Sequence, residues 1–115
     1  MESILNSIKK LLGPGANDTH FDPDIIIHIN SVFSDLHQLG VGPAEGFYIE
    51  DDTSSWSEFI SDTLKIESVK TYMYLRVKLL FDPPLNSSVI KAMQEEIKKL
   101  EWRLNVAADN TANKN

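Results

Sequence analysis

The stretch TLKIESVKTYMYLRVKLLF, residues 63–81, decides the fold. Leu64, Ile66, Val69, Tyr72, Met73, Leu75, Val77, Leu79, Leu80 and Phe81 recur at helical spacing but cover more than one stripe. A helix apolar over that much of its girth is central and packs on two or more neighbours. Asp82, Pro83 and Pro84 then stop it, because proline cannot continue a helix and restricts the residue before it.

Elements on both sides fit around such a centre. Upstream, Ser55 and Glu58 have capping-box spacing ahead of a short helix through Ile60 that carries Trp56 and Phe59. Residues 41–54 read as an irregular loop from Gly42, Pro43 and Gly46, in which Phe47, Tyr48 and Ile49 suit a short extended piece such as an edge strand. A second main helix opens at Asp22 as N-cap, with Pro23 at N1 and Asp24 in the first turn. Its apolar face is Ile25, Ile26, Ile29, Val32, Phe33, Leu36 and Leu39, and Gly40 stops it. The isoleucines at its start favour a strand locally, but the cap and the sustained spacing outweigh them. Residues 2–12 form a first amphipathic helix on Ile4, Leu5, Ile8, Leu11 and Leu12, followed by a linker over 13–21.

Downstream, residues 87–106 form the last helix, with a seam of Ile90, Met93, Ile97, Leu100 and Leu104. Residues 107–115 are small and polar, which suits a disordered tail. The expected fold is therefore all-α: a small bundle of four main helices plus one short helix, with an irregular central loop and a disordered C-terminal tail. It forms one domain over 1–107, with the tail at 108–115.

Composition narrows the function. The chain has 115 residues, enough for one core without staples, and no cysteine, which excludes disulfides, thiolate zinc sites and cysteine nucleophiles. Its net charge of −6 opposes a role as a free nucleic-acid binder. No signal-peptide pattern and no long apolar run occur, so the expectation is a protein made in the cytoplasm with no membrane contact.

Catalytic patterns are missing. His28 and His37 are nine residues apart on one helix and fall on opposite faces, and no H-E-x-x-H pattern includes His20. Glu50, Asp51 and Asp52, with Glu45 nearby, offer hard oxygens but lack calcium-loop spacing, so they read as a solvated loop or one facing a basic neighbour. No nucleophile motif or phosphate loop is present. The expectation is no enzyme activity, no cofactor and no metal.

Candidate interface residues are easier to find. Trp102 lies about 200° round the last helix from Leu100, among Lys91, Glu95, Lys98 and Lys99. A tryptophan among charges suits an interface anchor, or a side chain folded back on the first helix or the tail. Trp56 and the Phe47, Tyr48, Ile49 segment pose the same choice on a loop. Charge is segregated: residues 45–67 are acidic apart from Lys65, whereas Lys70, Arg76, Lys78, Lys91, Lys98, Lys99 and Arg103 outnumber the acids of 68–104. The expected interface set is Phe47, Tyr48, Ile49, Glu50, Asp51, Asp52, Trp56, Lys98, Lys99, Trp102 and Arg103, with the acidic loop facing the basic helix of a neighbour.

Five segments together carry a resemblance: NSIKKLLG (6–13), THFDPDIIIHINSVF (19–33), QLGVGP (38–43), ESVKTYMYLRVKLLFDPP (67–84) and LEWRLNVA (100–107). The chain resembles the head-tail connector (head-tail adaptor) family of long-tailed bacteriophages and prophages of Gram-positive bacteria, over all but the tail after about Ala108. The resemblance implies an all-helical structural subunit of the virion neck. It implies a ring, usually dodecameric, between the portal protein and a tail-side connector or tail completion protein. DNA would pass through the channel without sequence-specific binding. The competing expectation from the residues alone is a small cytoplasmic helical protein that binds and regulates a phage or host protein.

Overall fold

The computed structural model describes residues 2–13 and 18–113, excepting the side chains of 109–113. Its helices are α1 (Ile4–Leu12), α2 (Asp22–Gln38), α3 (Trp56–Phe59), α4 (Thr63–Phe81) and α5 (Ser87–Asn113), with a 3₁₀ turn at Thr19–Phe21. The fold is all-α, and among the described residues the only β pairing is one bridge between Ser3 and Ser55. Phe47, Tyr48 and Ile49 therefore form no edge strand. Residues 14–17 of the expected linker and 114–115 of the expected tail lie outside the described residues.

The central position of α4 follows from its girth. It packs against α1, α2 and α5, and Val69, Tyr72, Met73 and Val77 are fully buried. Asp62 caps its start by accepting from the Leu64 and Lys65 amides. The capping box at Ser55 and Glu58 closes as spaced, with the Ser55 amide donating to the Glu58 carboxylate at 2.9 Å.

Two helix boundaries and the burial of the α5 seam differ from the reading of the sequence. Asp22 is the first helical residue of α2 rather than its cap, and its carboxylate pairs with the buried Lys9 ammonium at 2.7 Å, tying α1 to α2. The last helix does not stop at Val106 but runs on to Asn113, so the expected tail is helical as far as the described residues go. Ala107, Ala108 and Ala112 are strong helix formers, and no glycine or proline interrupts them. Of the expected seam on α5, Ile97, Leu100 and Leu104 are buried, while Ile90 and Met93 are only half-covered because the N-terminal half of the helix stands clear of the core.

The central loop departs most from expectation. Ile49 and Trp56 are core residues, exposed by 1% and 3%, and Phe47 packs on the same core. Phe33 of α2 is the hub: its ring centroid lies 5.0 Å from Phe47, 4.7 Å from Phe59 and 6.4 Å from Trp56. The indole N–H of Trp56 donates to the Ser7 hydroxyl of α1 at 2.8 Å, so its burial leaves no orphan donor. Asn30 of α2 fixes the loop by accepting from the Ile49 amide at 2.8 Å and donating to the Ile49 carbonyl at 2.9 Å. Gly42, at φ +95°, lies where a Cβ would collide with the Phe59 ring, so only glycine lets the loop close over that ring.

The Asn30 clamp leads to an expected outcome. Asn30→Ala strands the amide and carbonyl of Ile49, and leaving buried polar groups unpaired costs about 1–3 kcal/mol. Urea unfolding should show that loss, and amide exchange should rise over residues 47–52. Unchanged protection at Ile49 would mean that the apolar contacts alone hold the loop.

Candidate interaction surfaces

The outward side of the clamped loop forms the first surface. With Phe47 and Ile49 turned inward, alternation sends Tyr48 out, and it is 67% exposed. Glu50, Asp51 and Asp52 follow it, all exposed. The Thr53 hydroxyl and amide donate to the Asp51 carboxylate and hold its pKa below the ordinary range. Glu45, Glu50 and Asp52 make no ion pair among the described residues. The result is an aromatic ring beside several negative charges, carried on a segment fixed at both sides by core residues.

A second surface is the outer face of α5. Trp102 stands opposite the buried Leu100 and Leu104 and is 68% exposed, so it does not fold back onto α1. Lys98, Lys99 and Arg103 surround it, exposed and without an ion pair among the described residues. Lys91 continues the basic row two turns earlier.

Between α4 and α5 runs a groove lined by Arg76, Leu79, Leu80, Gln94, Ile97, Lys98 and Glu101. One wall carries a polar network that joins three helices. Arg76 donates to Asp35 of α2 and to the Tyr72 hydroxyl, both at 2.6 Å, and that hydroxyl donates to Glu101 of α5 at 2.7 Å. Burial, and then the hydrogen bond to the Glu101 carboxylate, pushes the Tyr72 pKa well up from its usual value of 10.0. The folded chain thus keeps this proton after the unfolded chain has lost its own. Stability that is fully present below pH 10 should fall as pH rises through that value. Urea midpoints measured from pH 8 to 11 should drop less steeply for Tyr72→Phe than for the wild type. Equal slopes would show that the Tyr72 proton is not linked to folding.

The structure brings the expected interface residues into two groups and keeps those groups apart. Tyr48, Glu50, Asp51 and Asp52 share the loop; Lys98, Lys99, Trp102 and Arg103 share α5. Asn30, which holds the loop, and Asp35, which reaches the α4–α5 groove, are five residues apart on α2. That is about 140° around the helix, so loop and groove lie on different flanks. Phe47, Ile49 and Trp56 leave the surface set because they are packed into the core. Arg76, Leu79 and Leu80 join the surface as groove residues that the sequence reading passed over. Their signal was the surplus of apolar positions on α4 beyond a single stripe.

Among the described residues no three His, Asp or Glu side chains gather to hold a metal ion, and no helix is long and apolar enough to cross a membrane. Unpaired charge and exposed aromatic rings on a rigid helical unit are what an assembly subunit presents to its neighbours. Residues 4–111 match the family model described as phage connector protein, and the chain belongs to that family. It is accordingly a structural connector protein of bacteriophages. No curated protein and no solved structure matches the chain.

Proposed function

We propose that the chain is a subunit of the head-tail connector in the virion neck, repeated in a ring between the portal protein and a tail-side connector or tail completion protein. The observation that carries this reading is the family match over 4–111. Supporting it are the two unpaired, oppositely charged surfaces, which a single chain holds apart. Such a pair suits a heterologous contact, in which different patches of identical subunits meet and a ring closes if the rotation allows. The ring is taken to be dodecameric, and DNA passes through it without base contacts, in keeping with a net charge of −6. The protein is made in the bacterial host cytoplasm and needs no cofactor. Its interface residues are Tyr48, Glu50, Asp51 and Asp52 on one side and Lys98, Lys99, Trp102 and Arg103 on the other.

The test is genetic. A phage carrying a stop codon early in this gene should accumulate filled heads and free tails, and antibody against the chain should label the neck of complete particles. Normal particles from the mutant would remove the chain from the connector. On its own, the purified protein should run as a monomer or weak oligomer at micromolar concentration, because each contact is small and the portal supplies the template.

A further inference from the structure

We propose that the groove between α4 and α5 is the socket for a second copy of this chain, and that the Tyr48 edge of that copy fills it. The inference deepens the reading of the chain as a repeated subunit and rests on it. Leu79 and Leu80 give the groove an apolar wall, and Leu80 is 49% exposed. Ile97 closes the other side from α5. The groove is an open cleft of about 500 Å³, room for an aromatic side chain.

Charge selects the occupant. Arg76 is already matched by Asp35, and Glu101 accepts from the Tyr72 hydroxyl. Lys98 on the rim, with Lys91 beyond it, makes no ion pair among the described residues. An incoming segment should therefore lead with an apolar or aromatic group and carry carboxylates beside it. The chain displays that combination at Tyr48 with Glu50, Asp51 and Asp52, on backbone already ordered by Asn30. Little ordering entropy is then lost on docking. Because loop and groove lie on different flanks of α2, the contact cannot form within one chain and must pass from copy to copy, head to tail.

The lack of cysteine makes a direct test possible. Tyr48→Cys and Leu80→Cys are prepared as separate proteins, each checked for the wild-type circular dichroism and melting curve, then mixed and oxidised. The mixture should give a disulfide heterodimer at least tenfold above the homodimer from either protein alone. The double variant should give a ladder of covalent multimers, and adding Lys98→Glu should shorten that ladder. A mixture of Tyr48→Cys with Leu11→Cys, on exposed α1 surface, serves as the random-collision control. Heterodimer no greater than this control overturns the socket. If that happens while the gene is still required for head-tail joining, the connector reading stands and only the socket falls. If the ladder forms but the gene is dispensable for joining, the socket stands and the connector reading falls.

Discussion

Replacing Phe33 with alanine should remove about 3–5 kcal/mol of stability, the usual cost of deleting a fully buried phenylalanine. The ring is completely covered and touches three other aromatic rings, from the loop at Phe47, from Trp56 and from Phe59. Those three lie on the segment between α2 and α4, which makes no other large core of its own. The cavity left by the substitution would therefore open under the loop, where collapse is blocked by the Asn30 clamp on one side and the Trp56 bond to Ser7 on the other. A typical domain holds only about 5–15 kcal/mol in total. The variant should melt more than about 10 °C lower and lose a large part of its urea midpoint with an unchanged m-value. A loss below about 1 kcal/mol would show that the aromatic cluster is peripheral to the fold.

The same cluster explains which parts of the molecule were legible in the sequence. The α4 boundaries, Thr63 and Phe81, follow from a long apolar pattern, the acid at Asp62 and the prolines at 83 and 84, all of them local signals. The capping box at Ser55 is likewise a three-residue pattern. Loop burial has no such local signature. Ile49 is buried because Asn30, 19 positions away, satisfies both of its backbone groups, and a loop has no fixed period from which inward and outward residues can be told. The extended stretch around Tyr48 does alternate, but the register depends on which of its neighbours meets Phe33, a tertiary fact. Trp56 and Trp102 show the same limit in opposite senses. Both are isolated tryptophans among polar residues, yet one finds Ser7 beneath it and the other finds solvent. On α5 the helical period alone placed Trp102 outward correctly. At the far end of α5 nothing in residues 106–113 stops a helix already under way, and a small, polar composition carries no signal for where it ends.

Burial and exposure also alternate at the two loop aromatics, and their substitutions should separate fold from assembly. Phe47→Ser removes a ring packed edge-on against Phe33 and Phe59 and leaves a hydroxyl in its place, so it should cost about 2–4 kcal/mol. Any loss of phage from that variant would follow from loss of folded protein. Tyr48 is 67% exposed, so Tyr48→Ser should stay within about 0.5 kcal/mol of wild-type stability. Its effect should fall on assembly instead. A central aromatic anchor is worth about 2 kcal/mol or more per contact, roughly 30-fold in affinity. In the proposed ring that loss would recur at every subunit boundary, and the closed assembly should fail even though each subunit is sound. A phage complemented only by the Tyr48→Ser protein should therefore give filled heads and free tails in electron micrographs, with normal amounts of soluble connector in the lysate. Joined particles at wild-type number would take Tyr48 out of the interface, and the exposed Trp102 face of α5 would become the place to substitute next.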